Sequence, residues 1–332
     1  MAITLAEAKV GMANKVDQQV VDEFRRSSLL LDNLIFDNAI SPGTGGSTLT
    51  YGYIQLSSPR TAGTRAINSE YTAAEAKRTE KTAKAIVMGG SFQIDRVIQD
   101  TSGAINELNF QMEQAIKATS NYFHNLVING TSASSGTGYV TSTFDGLKAL
   151  ASASGGNKTS ATVSLAGESE TASNYQAFLD EVDAWLSTMD GRPTMLLMNT
   201  KMLNKIRSCA RRAGYYDRTK DDFGRYVESY NGIPLMDAGY YYNGTATEEI
   251  IKTTAASASA AGTTDMYAVN IALDGFHGIA PTGSRVINTY LPDFSEPGAV
   301  KKGEVELVAG VVAKNTKKIA MLSGIPIVAK TA

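Results

Sequence analysis

Two histidines, one cysteine and one aspartate pair are the residues from which this 332-residue chain would have to build catalysis or a metal site. Catalysis needs titratable groups that converge on a nucleophile or a metal. His124 sits between Phe123 and Asn125 in a helical stretch, and His277 follows Phe276 in a glycine-bounded segment that reads as a turn. Neither has a second histidine or an acid at ligand spacing, so both are expected to be structural or surface residues. Cys209 falls among apolar helix positions, where a free thiol behaves as a small core residue. Asp221 and Asp222 lie in Arg218-Thr219-Lys220-Asp221-Asp222-Phe223-Gly224-Arg225, whose alternating sign suits a solvated loop or a salt-bridged interface. That run lacks the alternating acids and distal glutamate of an EF-hand. The glycine-rich segments lack the Gly-Lys-Ser/Thr of a P-loop and the spaced glycines of a dinucleotide fingerprint, and there is no Gly-x-Ser-x-Gly elbow. The expectation is a chain with no catalytic residue, no metal and no cofactor.

Binding is the other chemistry these residue types offer. Arg207, Arg211, Arg212, Arg218 and Lys220 form the one local basic cluster, which suits a solvated helix face or a contact to an acidic neighbour or nucleic acid. Across the chain, 31 basic residues face 33 acidic ones for a net charge of -2. Proteins that grip phosphates usually carry a basic stripe, so tight stoichiometric nucleic-acid binding is disfavoured. Lys301-Lys302 and Lys317-Lys318 sit at strand edges, where lysine also guards against edge-to-edge pairing. A lone cysteine excludes an intrachain disulfide and fits a reducing compartment. The first residues lack a signal-peptide pattern, and no apolar run approaches the ~20 residues needed to span a bilayer. No membrane contact is expected, and folding is expected in a cytoplasm.

The elements that must position these groups follow from periodicity. Residues 4–36 read as a helical arm, with Thr4 and Glu7 at capping-box spacing and Leu5, Ala8, Met12, Val16, Val20 and Phe24 at three- and four-residue steps. Leu29-Leu30-Leu31 and Leu34-Ile35-Phe36 demand a partner surface, on this subunit or a neighbour. After a break at residues 41–46, Leu49, Tyr51 and Tyr53 alternate as in a half-buried strand, and a return strand is expected over 81–92. The polar excursion between them, 57–80, carries Arg60, Arg65, Glu70, Lys77 and Arg78; its flanking strands favour a long hairpin reaching to another subunit over a floppy loop. The strongest helix spans about 103–128, roughly 39 Å at 1.5 Å per residue, and Asn129-Gly130 ends it. Ser, Thr, Gly and Ala then dominate 131–170 around one ordered island, Phe144 to Leu150. An α/β region follows: a helix bearing Tyr175, Phe178, Val182 and Trp185, a buried strand Thr194–Met198, and a second helix capped by Asn199. Strands at 225–229, 233–236, 266–271, 305–312 and 319–322 complete a mixed sheet flanked by helices.

This order of parts resembles the tailed-phage major capsid proteins of the Hong Kong 97-like fold family. Met88-Gly89-Gly90-Ser91-Phe92-Gln93-Ile94-Asp95-Arg96 looks like that family's approach to its spine helix, and Val127-Ile128-Asn129-Gly130-Thr131 with Phe144-Asp145-Gly146-Leu147 looks like its exit. Arg192-Pro193-Thr194-Met195-Leu196-Leu197-Met198-Asn199 and Tyr230-Asn231-Gly232-Ile233-Pro234-Leu235 look like its axial-domain strands. The resemblance implies an α+β fold with an N-terminal arm (1–40), an extended hairpin loop (41–95), a peripheral domain with the spine helix (96–150 and 290–332) and an α/β axial domain (151–289). It implies a non-enzymatic head protein that assembles with itself into pentamers and hexamers and encloses double-stranded DNA without reading its sequence. A portal protein is then an expected partner, and the virion, built in the host bacterial cytoplasm, its location. Arg60, Arg65, Lys77 and Arg78 would make intersubunit ion pairs, with Arg211 and Arg212 as further contact candidates.

Two departures qualify what carries over. Some relatives begin with a scaffolding segment that a protease removes, whereas this sequence opens almost directly on the arm, so a separate scaffolding protein is expected. Some weld subunits through a lysine–asparagine bond promoted by glutamate; Lys77, Lys81 and Lys84 lie in that region, but neither the asparagine nor the glutamate matches, and no cross-link is expected. The alternatives are an encapsulin-type nanocompartment shell with the same fold and, from a different class, a cytoplasmic α/β enzyme using Asp221 and Asp222.

Overall fold

Two long apolar strands near the C-terminus, Val300–Ala313 and Ile319–Val328, each organise a sheet, and a 3-10 turn at Thr316–Lys318 carries the chain from one to the other. The computed structural model describes residues 29–40, 49–101, 107–132, 143–214, 218–220, 226–281, 287–295 and 297–331. The expected arm helix over 4–28, the glycine break at 43–46 and the Asp221-Asp222 pair lie outside these residues.

In the first sheet the 14-residue strand Val300–Ala313 is shared along its length. Its first part pairs antiparallel with Ile86–Asp95, from Val300 opposite Asp95 to Ala309 opposite Ile86. Its last residues pair with Phe276–Pro281, and its other edge takes Ile287–Tyr290. Phe36–Ile40 adds in parallel to Phe276–Pro281. The inner face of this sheet, with Met88, Leu307 and Ala309, packs on Phe123, Leu126 and Val127 of the helix Glu107–Asn129. The helix's 23 residues extend roughly 35 Å. The helix begins later than the sequence reading placed it; Arg96–Thr101 forms a separate short helix, and 102–106 lie outside the described residues. At its exit the Gly130 N–H donates to the Leu126 carbonyl and Gly146 N–H to the Gly130 carbonyl. A Cβ on Gly146 would stand 2.5 Å from the Leu126 oxygen, which is why glycine is required at this crossing.

The second sheet has seven strands in the order Lys158–Ser160, Ile319–Val328, Gly262–Val269, Met195–Met198, Ile233–Asp237, Tyr226–Tyr230 and Arg218–Lys220. Both of its faces are covered, so its central strands read as continuous apolar runs. Met195, Leu197, Tyr267, Val269, Ile319 and Met321 turn to the core shared with the long helix. Their neighbours Leu196, Met198, Met266, Ala268, Ala320 and Leu322 turn to a second core under the helices Glu168–Leu186 and Thr200–Ala213. Cys209 belongs to this second core and is fully buried, which pushes its thiol up to about 11.

Three expectations need correction. The arm helix does not run to residue 36: helix Leu29–Asn33 is followed by strand Phe36–Ile40, because β-sheet pairing to Phe276–Pro281 outweighs the leucine periodicity. Leu30 and Leu34 are buried in this chain's own core, and Phe36 stacks on Phe123 at 6.2 Å. The return strand is two strands broken at Ala85, polar Lys77–Lys84 in the hairpin and apolar Ile86–Asp95 in the first sheet. Phe276–Pro281 is a strand, buried at every residue but Pro281, and not a turn; its glycine sits where a Cβ would meet the Phe36 ring at 2.6 Å. The two sheets draw on separated stretches of the chain. Ile319–Val328 lies in the seven-stranded sheet, while Phe276–Pro281 joins the sheet of Val300–Ala313.

Candidate assembly interface

Thr50–Ser58 and Lys77–Lys84 form a two-stranded antiparallel hairpin that pairs with no other strand among the described residues. Only its base is tied to the body. Tyr51 is buried there, its hydroxyl donating to Asp37 Oδ2 at 3.0 Å and its ring edge-on to His277 at 6.2 Å. Lys314 Nζ stands 5.3 Å from the Tyr51 ring centre and 3.8 Å from Asp37. The Tyr53 hydroxyl and Gln55 Nε2 donate to the carbonyls of Ala313 and Lys314. Burial, with Lys314 nearby, holds the His277 imidazole below its ordinary pKa.

Beyond this clamp the hairpin is solvated. Opposed residues in an antiparallel pair share a face. Tyr51, Tyr53 and Gln55 take the body side, so the other face presents Ile54 beside Glu80 and Leu56 beside Arg78. Ile54 is 71% exposed and Leu56 60%. At the end of the loop, Ile67 and Tyr71 are exposed as well. An isolated two-stranded hairpin is marginal in water, and an exposed apolar row on one is a surface made to be covered.

Of the residues singled out from sequence, Arg60, Lys77 and Arg78 are exposed on this hairpin and pair with no acid among the described residues. Arg65 serves its own loop: it donates to the carbonyls of Ala66 and Ser69 and lies over the Tyr71 ring at 5.4 Å. Arg211 and Arg212 are far away in the fold, exposed at the end of helix Thr200–Ala213. Arg211 Nε donates to the Arg207 carbonyl, while Arg207 is bound to Glu228 at 2.6 Å. Arg212 lines a cleft of about 1040 Å³ together with Tyr175, Asp180, Asp183 and Tyr230. Sequence reasoning missed Ile54 and Leu56; their alternation with Tyr51, Tyr53 and Gln55 was the available signal. His124 and His277 are both buried with Nε2 unpartnered, and burial pushes His124 down to about 4. Among the described residues, no group of three or more His, Cys, Asp and Glu could hold a metal ion.

An extended hairpin, a long helix under a β-sheet and a second, helix-covered mixed sheet define the Hong Kong 97-like capsid fold, and this chain has it. Solved structures match it over nearly its full length. The chain is similar to the holo-SrpI encapsulin complex of Synechococcus elongatus, with a TM-score of 0.65 and 13% identity over 100% of this chain and 99% of that one. It is similar to the capsid of an empty GTA particle computed with C5 symmetry, with a TM-score of 0.60 and 13% identity over 98% and 100%. For Mycobacterium phage Bobi the TM-score is 0.58 with 12% identity over 98% and 99%. No family model matches the chain, and no curated protein matches it.

Proposed function

We propose that this chain is the major capsid protein of a tailed bacteriophage, a shell subunit with no catalytic role. One observation carries the reading: a capsid fold over the whole chain projects a hairpin whose apolar face has no partner within the subunit. Identical subunits form pentamers and hexamers, each hairpin lying across a neighbour, and the closed shell encloses double-stranded DNA. The balanced charge supports containment over tight DNA binding. A separate scaffolding protein and a portal protein are the partners this reading implies, with assembly in the host cytoplasm and the virion as destination. The two sheets correspond to a peripheral and an axial domain, with the last strand belonging to the axial one.

The likeness to the encapsulin complex supports a second reading, a nanocompartment shell that holds protein cargo. Negative-stain electron microscopy of the chain expressed alone and sedimented through a gradient tests both. Closed shells, tubes or capsomer rings are expected, and nucleic acid or protein inside separates the two readings. A sharp monomer peak that persists with added scaffold or crowding agent sinks both and reopens the cytoplasmic enzyme.

A further inference from the structure

His277 is fully buried, and the base of the chain's own hairpin lies over it. Its strand pairs with the end of Val300–Ala313, and directly opposed residues share a face. His277 therefore stands beside Val312, on the sheet face turned away from the long helix. Tyr51 and Ala85 pack on that face with Ile279 and Val312, and Tyr53, Ala83 and Val308 border them. Tyr51 meets the imidazole edge-on at 6.2 Å.

Hydrogen bonding fixes where a second proton would enter this ring. Nδ1 lies 3.4 Å from the Gly275 carbonyl oxygen, which can only accept, so Nδ1 carries the proton. Nε2 is then a bare lone pair, buried and with no hydrogen-bond partner among the described residues. Buried polar atoms nearly always have partners, and an exception calls for a reason. A proton at Nε2 would find no acceptor, and its charge would add to that of Lys314, 5.3 Å from the Tyr51 ring centre. Asp37, on the neighbouring strand, is already bound by the Tyr51 hydroxyl at 3.0 Å and by Lys314 at 3.8 Å. On the hairpin, Tyr53 donates to the Ala313 carbonyl, and Lys81, opposite Tyr53, is exposed. Asp274 is tied to Lys318 at the turn before the strand. Burial and then Lys314 hold the imidazole below its ordinary pKa, against weaker pulls from the Gly275 carbonyl and Asp37.

Lifting the hairpin is the least disruptive way to bring water to a charged imidazole here. Opening the sheet instead would break the backbone ladders to Val300–Ala313 and Phe36–Ile40. Raising the hairpin base gives up the side-chain bonds of Tyr51, Tyr53 and Gln55 and leaves both ladders intact. We propose that His277 is a proton-operated latch: protonation at Nε2 frees the hairpin base from the sheet, so mild acidification releases the hairpin of the single subunit. This goes beyond the shell reading and does not depend on it. The closed base binds fewer protons than the open one. Its stability is complete above the ordinary imidazole range and is lost as pH falls from there toward the lowered value.

Hydrogen exchange of the full chain at about pH 7.5 and about pH 5 tests this, read as protection factors so that the intrinsic rate cancels. An open base with an ordinary imidazole (pKa ~6.5) and a closed base that stays neutral give a ~30-fold loss of protection over 49–55 and 81–85. His277→Gln abolishes the loss, and so does His277→Phe, which keeps a ring against Tyr51; His124→Gln retains it. Lys314→Met loosens the base at neutral pH yet shrinks the acid loss, because the closed imidazolium then meets less repulsion. No loss in wild type, or a loss that survives in both His277 variants, overturns the latch and leaves the shell reading untouched. So does an equal loss across Met195–Met198, which would mark global unfolding.

Discussion

Replacing Ile54 and Leu56 by serine separates folding from assembly in one experiment. Fully burying such a side chain stabilises by ~1.5–3 kcal/mol relative to leaving it in water. In the single subunit these two remain 71% and 60% exposed, so most of that gain is unrealised until another surface covers them. About two-thirds of it, ~1–2 kcal/mol each, would then come from assembly. Together the pair contributes ~2–4 kcal/mol per contact, which corresponds to a roughly 30- to 1000-fold change in association. Folding sees almost none of this, because surface substitutions away from special features stay within about 0.5 kcal/mol. The expected result is an unchanged urea midpoint for the unassembled variant and a loss of shells in gradient sedimentation at concentrations where wild type assembles. Shells forming at the wild-type concentration would refute the argument, since the apolar row would then be dispensable. A fall in subunit stability of several kcal/mol would refute it differently, by showing that this face packs on its own chain.

Three further outcomes follow from buried polar groups and tight glycines. Asn199 is almost fully buried; its Oδ1 accepts from Met202 N–H and its Nδ2 donates to the Ile251 carbonyl, Thr253 and Thr264. Asn199→Ala removes a helix cap and strands these acceptors, so it should lower unfolding stability by ~2–4 kcal/mol in urea titration. His124 protonates near pH 6.5 when unfolded but near 4 when folded, so the unfolded state binds more protons between these values. Its contribution is complete above pH 6.5 and is lost as pH falls through 4, by roughly 3 kcal/mol; a His124→Gln subunit should show a flatter dependence over that window in urea midpoints. Gly146→Ala, with its Cβ forced to 2.5 Å from the Leu126 carbonyl oxygen, should cost ~1–3 kcal/mol by the same measurement.

Periodicity revealed most elements whose burial is one-sided or complete. The long helix was legible because its apolar residues recur at three- and four-residue steps over more than six turns, and Asn199 because a cap precedes an amphipathic run. Met195–Met198 and Ile319–Leu322 were legible as apolar runs, since a sheet covered on both faces has no polar alternation. Phe276–Pro281 was not: histidine, glycine and proline within six residues read as a turn, and only the close approach of Phe36 explains the glycine. The break at Ala85 was equally hidden, because both halves favour strand and only tertiary pairing decides where one sheet ends. Within the candidate interface the charged residues were legible and the apolar ones were overlooked. Arg60, Lys77 and Arg78 stand out in a polar excursion, whereas Ile54 and Leu56 pass for an ordinary core alternation until Tyr51 and Tyr53 are seen to take the body side.

The clamp at the hairpin base and the solvated face beyond it divide one element between two tasks. Tyr51, Asp37, Lys314 and His277 hold the first residues of the hairpin through a buried hydroxyl, a cation over a ring and an edge-on aromatic contact. None of these reaches past Gln55, so the outer strand pairs are kept only by the hairpin's own ladder. Such a ladder is marginal in water, and part of the gain from covering Ile54 and Leu56 must offset the ordering of the loop that carries Arg65 and Tyr71. Each contact is therefore weaker than its buried area suggests. In the shell proposed above, weak identical contacts would still suffice, because every subunit would both give a hairpin and receive one, and misplaced subunits could leave before the last contacts form.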